Sequence, residues 1–196
     1  NGIWAMTEEA SWALPAHAVQ YLEPDEQGLP SQQRPTVDLF ACETAMLLAE
    51  TRYLLRDSLG SVSRQIEERV GQQVLQRVIE PVEMRNDIWW FQGINNWTPW
   101  CASNALGAAF YLLEDQGRLV RLTAKLIEVV ERFIERYPAD GGCDEGPSYW
   151  SKAAGAMLDF LELLHQRSGG VIDVYQEPLI RSMGLFIVNA HLDGPW

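Results

Sequence analysis

Apolar residues recur every three or four positions through most of the chain after Pro35, which is the spacing that places them on one face of an α-helix. The first stripe runs over residues 37–55 and ends at the turn 57–60. A second, amphipathic helix is predicted from Ser61 to Pro81, because a proline ring removes a backbone N–H and ends a helix. These two helices are expected to form a hairpin.

Two more hairpins are predicted by the same criteria. One pairs helices over 98–113 and 118–137, and the other pairs helices over 149–165 and 177–191. Their first helices are more uniformly apolar and their second helices more amphipathic, as expected where an outer layer shields an inner one. The pattern therefore predicts an all-α fold, an incomplete (α/α) toroid of successive hairpins with inner and outer helix layers. A plain helical bundle is the alternative, and the one competing strand pattern is 87–91.

Composition and charge narrow the class of partner. The chain has 196 residues, of which 47% are hydrophobic and 21% charged, so we expect one well-packed domain over 1–196. Fifteen Lys and Arg against 27 Asp and Glu give a net charge of −12, which argues against a nucleic-acid surface. No apolar run reaches the ~20 residues that span a bilayer. We therefore expect neither a nucleic-acid partner nor a membrane partner.

Cysteine usage says little about the compartment. Cys42, Cys101 and Cys143 are too few and too scattered for a disulfide framework or a zinc cage, so we interpret them as buried thiols. This favours the cytoplasm slightly. A periplasmic or secreted location stays open, because an upstream segment could have carried an export signal.

Two irregular segments, 84–104 and 137–150, are rich in residues that loops seldom need. The first contains Trp89, Trp90, Trp97 and Trp100, and the second contains Trp150. Indole rings stack on the apolar face of a sugar, and the Asn, Asp and Glu residues of the same segments suit its hydroxyl groups. A tryptophan-rich core is the alternative. Since neighbouring residues of an extended segment point to opposite faces, one of Trp89 and Trp90 is expected to be buried.

The second segment contains a candidate proton-transfer residue, Tyr149. Gly141 and Gly142 allow a sharp turn before it, and Asp144 and Glu145 are expected near a helix N-terminus, where the helix dipole favours acids. A phenol can act as a base near neutral pH only if a cation lowers its pKa from ~10. The candidates for that cation are Arg85, His17 and Lys152.

Signatures of several other chemistries are missing from the sequence. The three histidines have no metal-ligand spacing and the chain has no CxxC motif, so a zinc site is not expected. The nucleophile-elbow motif of serine hydrolases and the glycine-rich phosphate and dinucleotide motifs are also missing. These classes of enzyme are therefore not predicted.

Four strings carry a family resemblance: NGIWAMTEEASWALPAH at 1–17, RNDIWW at 85–90, NNWTPWCASN at 95–104 and DGGCDEGPSYW at 140–150. In this order they resemble the heparinase II/III-like family of polysaccharide lyases. The resemblance implies an incomplete α/α toroid followed by a β-sandwich domain. The chain is therefore expected to be a fragment without the sandwich domain, with an open face that the missing domain or a second copy of the chain could cover.

The resemblance also implies a reaction, the cleavage of a uronic-acid-containing glycan by β-elimination. Asn96 matches the residue that neutralises the uronate carboxylate, and Tyr149 matches the tyrosine that removes or donates the proton. Such a step needs no cofactor, and the expected partner is an acidic polysaccharide or oligosaccharide. Further substrate contacts are expected from Asn95, Trp97, Arg85, Trp90, Glu145, Trp150 and His17. For His17 a helix C-cap, and for Glu145 a helix N-cap, are the alternative roles.

Two departures from the family pattern leave other functions open. Trp97 stands where several members have a histidine, and the family's sandwich domain supplies a further histidine. One alternative is a glycoside hydrolase on an α/α barrel, whose carboxylate pair would be Asp144 or Glu145 with Asp87. The other is a catalytically inactive sugar-binding or scaffold module. The charge of −12 disfavours highly sulfated substrates.

Overall fold

The computed structural model describes residues 1–18 and 30–191, and all regular structure within these ranges is helical. A π-helical turn covers Leu75–Ile79, and 3₁₀ helices cover Trp89–Gln92 and Pro147–Lys152. The α-helices are α1 (Gly2–Glu8), α2 (Pro15–Ala18), α3 (Leu39–Leu54), α4 (Arg56–Val62), α5 (Arg64–Val74), α6 (Glu80–Met84), α7 (Trp97–Leu112), α8 (Gln116–Ile134), α9 (Ala154–Arg167) and α10 (Pro178–Asn189). The all-α prediction is confirmed for these residues, and the strand pattern at 87–91 gives a 3₁₀ turn instead.

The chain divides into two compact units, each with its own core. The first consists of Asn1–Ile88 and Asn104–Lys125, and the second of Trp89–Ser103 and Leu126–Trp196. The expectation of one domain over 1–196 stays a prediction. All three cysteines are buried free thiols, as predicted. No helix of the described residues is long and apolar enough to cross a bilayer.

In the first unit, α1 and α3 pack against α5. The helix α5 buries Val70 and Val74 and turns Glu68 and Gln72 to solvent, which is the alternation that its sequence predicts. Leu48 of α3 belongs to the same core. Burial of these apolar side chains is the main favourable term that holds the helices together.

The helix α3 begins at Leu39, two residues after the start of the apolar stripe 37–55, because Asp38 caps it. The Oδ1 atom of Asp38 accepts the Ala41 N–H at 2.8 Å. Its Oδ2 atom accepts the Leu14 N–H at 3.1 Å and lies 2.6 Å from Nδ1 of His17. The Asp38 side chain is fully buried. One carboxylate therefore ties the N-terminal segment to the start of α3.

Asp38→Ala is expected to lower the free energy of unfolding by about 2–3 kcal/mol, because it removes a helix cap and leaves buried donors without an acceptor. Urea denaturation measures this loss. Glu68→Ala, which removes an exposed acid from α5, is the control and is expected to stay within about 0.5 kcal/mol of the wild type. Equal losses in the two variants would contradict the role assigned to Asp38.

The prediction that Pro81 ends its helix is wrong. The chain passes from α5 through the π-helical turn Leu75–Ile79 into α6, and Pro81 lies in the first turn of α6. A first helical turn does not need the N–H that proline lacks, and the wider π turn changes the hydrogen-bond register just before it. The helical path therefore continues to Met84.

In the second unit, α9 packs against α10, and the 3₁₀ helix Pro147–Lys152 contacts both. The predicted helix over 149–165 is therefore split, because its first residues form this 3₁₀ helix and α9 begins only at Ala154. Met157 and Phe160 of α9 and Met183 of α10 are buried in the core of the unit.

Candidate functional site

A cavity of about 90 Å³ in the second unit brings together parts of both irregular segments. Its lining consists of Gly93, Ile94, Asn95, Asn96, Phe133, Arg136, Tyr137, Pro138, Cys143, Asp144, Glu145 and Ala153. Three predicted site residues, Asn95, Asn96 and Glu145, therefore border one cavity. Its volume is that of about three water molecules in the liquid, so it admits a carboxylate or a hydroxymethyl group but not a sugar ring.

The asparagine loop, residues 93–96, is held against the C-terminal part of α8. Gly93 has a φ of 70°, and a Cβ atom there would lie 2.6 Å from the carbonyl carbon of Arg132, so only glycine fits. Arg132 Nη1 donates to the carbonyl of Phe91 at 2.9 Å, and Arg136 Nη1 donates to the carbonyl of Gln92. These contacts fix the position of the loop.

The two asparagines of the loop have different roles. Asn95 Oδ1 accepts the Trp97 N–H at 3.1 Å, so this side chain caps the start of α7. Asn96 is only 6% exposed and borders the cavity, and its side chain makes no hydrogen bond within the described ranges. Of the two asparagines, Asn96 is therefore the one whose amide remains available to a ligand at the cavity.

The acid loop, residues 140–149, is fixed at both ends on one turn of α10. Gly141 has a φ of 79°, and a Cβ atom there would lie 2.3 Å from the carbonyl carbon of Ser182. At the other end, the Trp150 indole Nε1 donates to the carbonyl of Met183 at 2.8 Å. Trp150, predicted to bind substrate, is thus at least partly an anchor.

The acids and the tyrosine of this loop are open to solvent. Asp144 and Glu145 are exposed and directly precede a helical N-terminus, as expected, but the N-cap of this 3₁₀ helix is Gly146, so the N-cap role considered for Glu145 is wrong. Tyr149 is 51% exposed and does not line the small cavity. Its hydroxyl makes no hydrogen bond to the residues that the structure describes. Both Glu145 and Tyr149 are accessible to a large ligand.

Trp90 is not a surface for sugar stacking. Its side chain is completely buried and packs edge-on against Phe91, with ring centroids 4.6 Å apart. This corrects its assignment as a substrate contact and confirms that one member of the Trp89–Trp90 pair is buried. Trp89 is half-buried, and its ring lies 4.5 Å from that of Trp97, which is also half-buried. These two rings form the accessible aromatic pair of the segment.

The three candidate cations fall in different units. Lys152 shares the second unit with Tyr149, and its Nζ lies 4.0 Å above the ring of Trp100. Arg85 and His17 belong to the first unit. Arg85 Nη1 donates to the carbonyl of Pro35 at 2.8 Å, and His17 contacts Asp38 as described above. The structure therefore gives both residues a role in holding the first unit together.

Asp87, proposed for the hydrolase pair, is held by two arginines. Arg85 Nε donates to its Oδ1 at 2.9 Å, and Arg34 Nη2 donates to its Oδ2. These hydrogen bonds, that of Arg85 first, hold the pKa of Asp87 well below its usual range. A glycosidase acid needs a raised pKa instead. Asp87 is therefore unsuited to the acid role in a hydrolase.

An NMR titration of the carboxyl groups is expected to place the midpoint of Asp87 well below the usual value near 4. Because the folded-state pKa is lowered, the interaction stabilises the fold above the unfolded-state pKa, and this contribution is lost as the pH falls through the folded-state pKa. The contribution is small, since Asp87 is half-exposed. Arg34→Gln should raise the midpoint, and Arg64→Gln should not. A wild-type midpoint near 4 would contradict the described geometry.

Sequence reasoning misses Tyr137, for which the apolar pattern predicts only the end of a helix. Its hydroxyl is buried beside the cavity and makes no hydrogen bond within 1–18 and 30–191. Burial, and secondarily the nearby Cys143, raise the pKa of Tyr137, so the phenol stays protonated at neutral pH. The available signal was its place in the same irregular segment as Tyr149, directly before Pro138.

Comparisons with known proteins do not add to this picture. No model of a known protein family matches the chain, and no curated protein is significantly similar to it.

Among the described residues, no group of three or more His, Cys, Asp or Glu side chains is arranged to hold a metal ion.

Proposed function

We propose that the chain is the helical, incomplete (α/α) toroid part of a heparinase II/III-like polysaccharide lyase, which cleaves a uronic-acid-containing glycan by β-elimination. The observation that carries the proposal is the nearly buried Asn96 amide, which has no partner within the described ranges and borders a cavity of carboxylate size. The acid loop that carries Tyr149 borders the same cavity through Asp144 and Glu145.

The proposed role of Asn96 is to bind the uronate carboxylate. An amide N–H that donates to this group withdraws charge and makes the proton on C5 of the sugar more acidic. Because the cavity is too small for a pyranose ring, the ring itself must remain outside, towards the solvent-exposed part of the acid loop. Tyr137 offers a second donor at the cavity, since its hydroxyl remains protonated.

The proposed role of Tyr149 is proton transfer. In β-elimination a base takes the C5 proton, the C4–C5 double bond forms, and the C4–O4 bond breaks as an acid protonates the departing oxygen; Tyr149 is the proposed acid, or both acid and base in turn. The exposed hydroxyl of Tyr149, which has no hydrogen-bond partner among the described residues, is proposed to reach either position on a bound sugar. The neighbouring acids and the net charge of −12 disfavour a densely sulfated chain, so the substrate class is a lightly charged uronan.

The test is ultraviolet absorbance of alginate, hyaluronan, heparan-type and chondroitin-type glycans incubated with the longest natural polypeptide that carries this sequence. An absorbance rise from unsaturated uronate ends supports the lyase. Glycan binding without any such rise favours the inactive binding module instead. Reducing ends that appear without unsaturation would favour a hydrolase.

A further inference from the structure

A large cavity of the first unit has no role in the proposed function. Its volume is about 790 Å³, and it lies between the segment that follows α1 and the helical path α5–π turn–α6. Trp12, Gln73, Arg69 and Arg77 are among its lining residues. A volume of this size is typical of small-molecule sites.

Arg77 is held rigidly at the wall of this cavity. Its Nε donates to Gln73 Oε1 at 2.7 Å, and its Nη2 donates to the carbonyl of Glu9 at 2.7 Å. Its guanidinium carbon lies 4.7 Å from the centre of the Trp12 ring. Arg77 belongs to the π-helical turn, and such turns occur frequently at functional sites. The guanidinium is therefore preorganised by contacts on several sides.

Two guanidinium donors at this cavity lack acceptors. Nη1 of Arg77 and Nε of Arg69 are buried and make no hydrogen bond within the described residues. Glu8 accepts from Nη2 of Arg69 at 3.1 Å but not from its Nε. Burial, and next the positive charge of Arg69, lower the pKa of Arg77, so the two cations are close enough to repel each other. Charged donors without acceptors are costly. A bound anion would supply acceptors and would also reduce the repulsion between Arg69 and Arg77.

We propose that this cavity is a binding site for an oxyanion group, a carboxylate or a sulfate carried on a small polar molecule, with Arg69 and Arg77 as its ligands. One oxyanion has several lone pairs and can accept from both arginines through charge-assisted hydrogen bonds. Glu8 and Glu9 balance the two arginine charges nearby, so attraction acts at short range and the site does not draw polyanions from a distance. This site is independent of the proposed lyase activity.

The test is an NMR titration of the whole chain that follows the arginine Nε–Hε signals. Sodium glucuronate and sodium sulfate are the two probes, and sodium chloride at matched ionic strength is the control. We expect saturable shifts of the Arg69 and Arg77 signals, with a dissociation constant on the order of 1 mM for the better probe. Saturation by glucuronate alone identifies a carboxylate site, and saturation by sulfate alone identifies a sulfate site.

Variants make the test specific to this cavity. Arg69→Gln and Arg77→Lys are each expected to weaken binding at least about tenfold, since each removes a charge-assisted hydrogen bond. Arg64→Gln removes an exposed arginine of α5, the helix that contains Arg69, and should leave the affinity for either probe unchanged. The proposal is overturned if neither probe gives saturable shifts, if chloride gives the same shifts, or if Arg69→Gln binds as the wild type does while its circular dichroism shows a folded chain.

Discussion

Tyr149→Phe is expected to reduce the rate of unsaturated-uronate formation by about 10²–10⁴-fold, the usual contribution of a positioned proton-transfer group. The substitution removes only the hydroxyl. Because that hydroxyl makes no hydrogen bond to the described residues and half of the side chain is exposed, the free energy of unfolding should hardly change. The loss should therefore appear in kcat, as measured by ultraviolet absorbance, at unchanged stability.

The matched control is Tyr53→Phe, which removes the hydroxyl of another exposed tyrosine, in the first unit. This variant is expected to keep wild-type activity. Full activity of Tyr149→Phe would remove Tyr149 from the mechanism, and activity lost equally in both variants would indicate an effect unrelated to proton transfer.

Asn96→Ala separates carboxylate binding from proton transfer in the same assay. Removing a donor to a developing negative charge typically costs about 10²–10³-fold in rate. Asn95→Ala should instead cost mainly stability, since Asn95 Oδ1 caps α7 through the Trp97 N–H. If Asn95→Ala loses more activity than Asn96→Ala at equal folded fraction, the assignment of the two asparagines is reversed.

The helical elements followed from the sequence because their apolar spacing is regular. The alternation in α5 specifies one buried face, whereas the uniformly apolar sequence of α7 predicts a helix that is buried on most sides. The continuation of the helix through Pro81 could not be predicted from the sequence, because a π turn depends on the register of hydrogen bonds over a whole helix. Likewise, local sequence predicts a helix at Tyr149 but not a 3₁₀ turn, which depends on contacts with α9 and α10.

The sequence predicted which residue types form the candidate site, but it predicted less well which of their side chains are buried. Asn96 and Glu145 lie on two separate segments that the aromatic and polar composition had marked, and the structure brings both to one cavity. The sequence could not show which of Trp89 and Trp90 is buried, because burial in a 3₁₀ turn depends on the packing of Phe91 and its neighbours. Tyr137 was missed because its hydroxyl becomes buried without a hydrogen-bond partner only when the described residues fold.

Gly141→Ala is expected to lower the free energy of unfolding by about 3–5 kcal/mol. Two costs add up. The positive φ of 79° disfavours any residue with a Cβ atom, and the new atom would lie 2.3 Å from the carbonyl carbon of Ser182 and 2.5 Å from the backbone nitrogen of Met183. Backbone atoms inside α10 cannot move aside as a flexible side chain can, so the acid loop must shift. Urea denaturation measures the loss.

Gly169→Ala separates these two costs. Gly169 also has a positive φ, of 64°, but a Cβ atom there meets nothing within 4 Å, so only the backbone cost of about 1–2 kcal/mol is expected. Equal losses would mean that the acid loop does not lie against α10. Since Gly141 and Trp150 hold both ends of this loop on one turn of α10, Gly141→Ala should also reduce the proposed lyase activity at temperatures where the variant is folded. Gly169→Ala should not, because it leaves Asp144, Glu145 and Tyr149 in place.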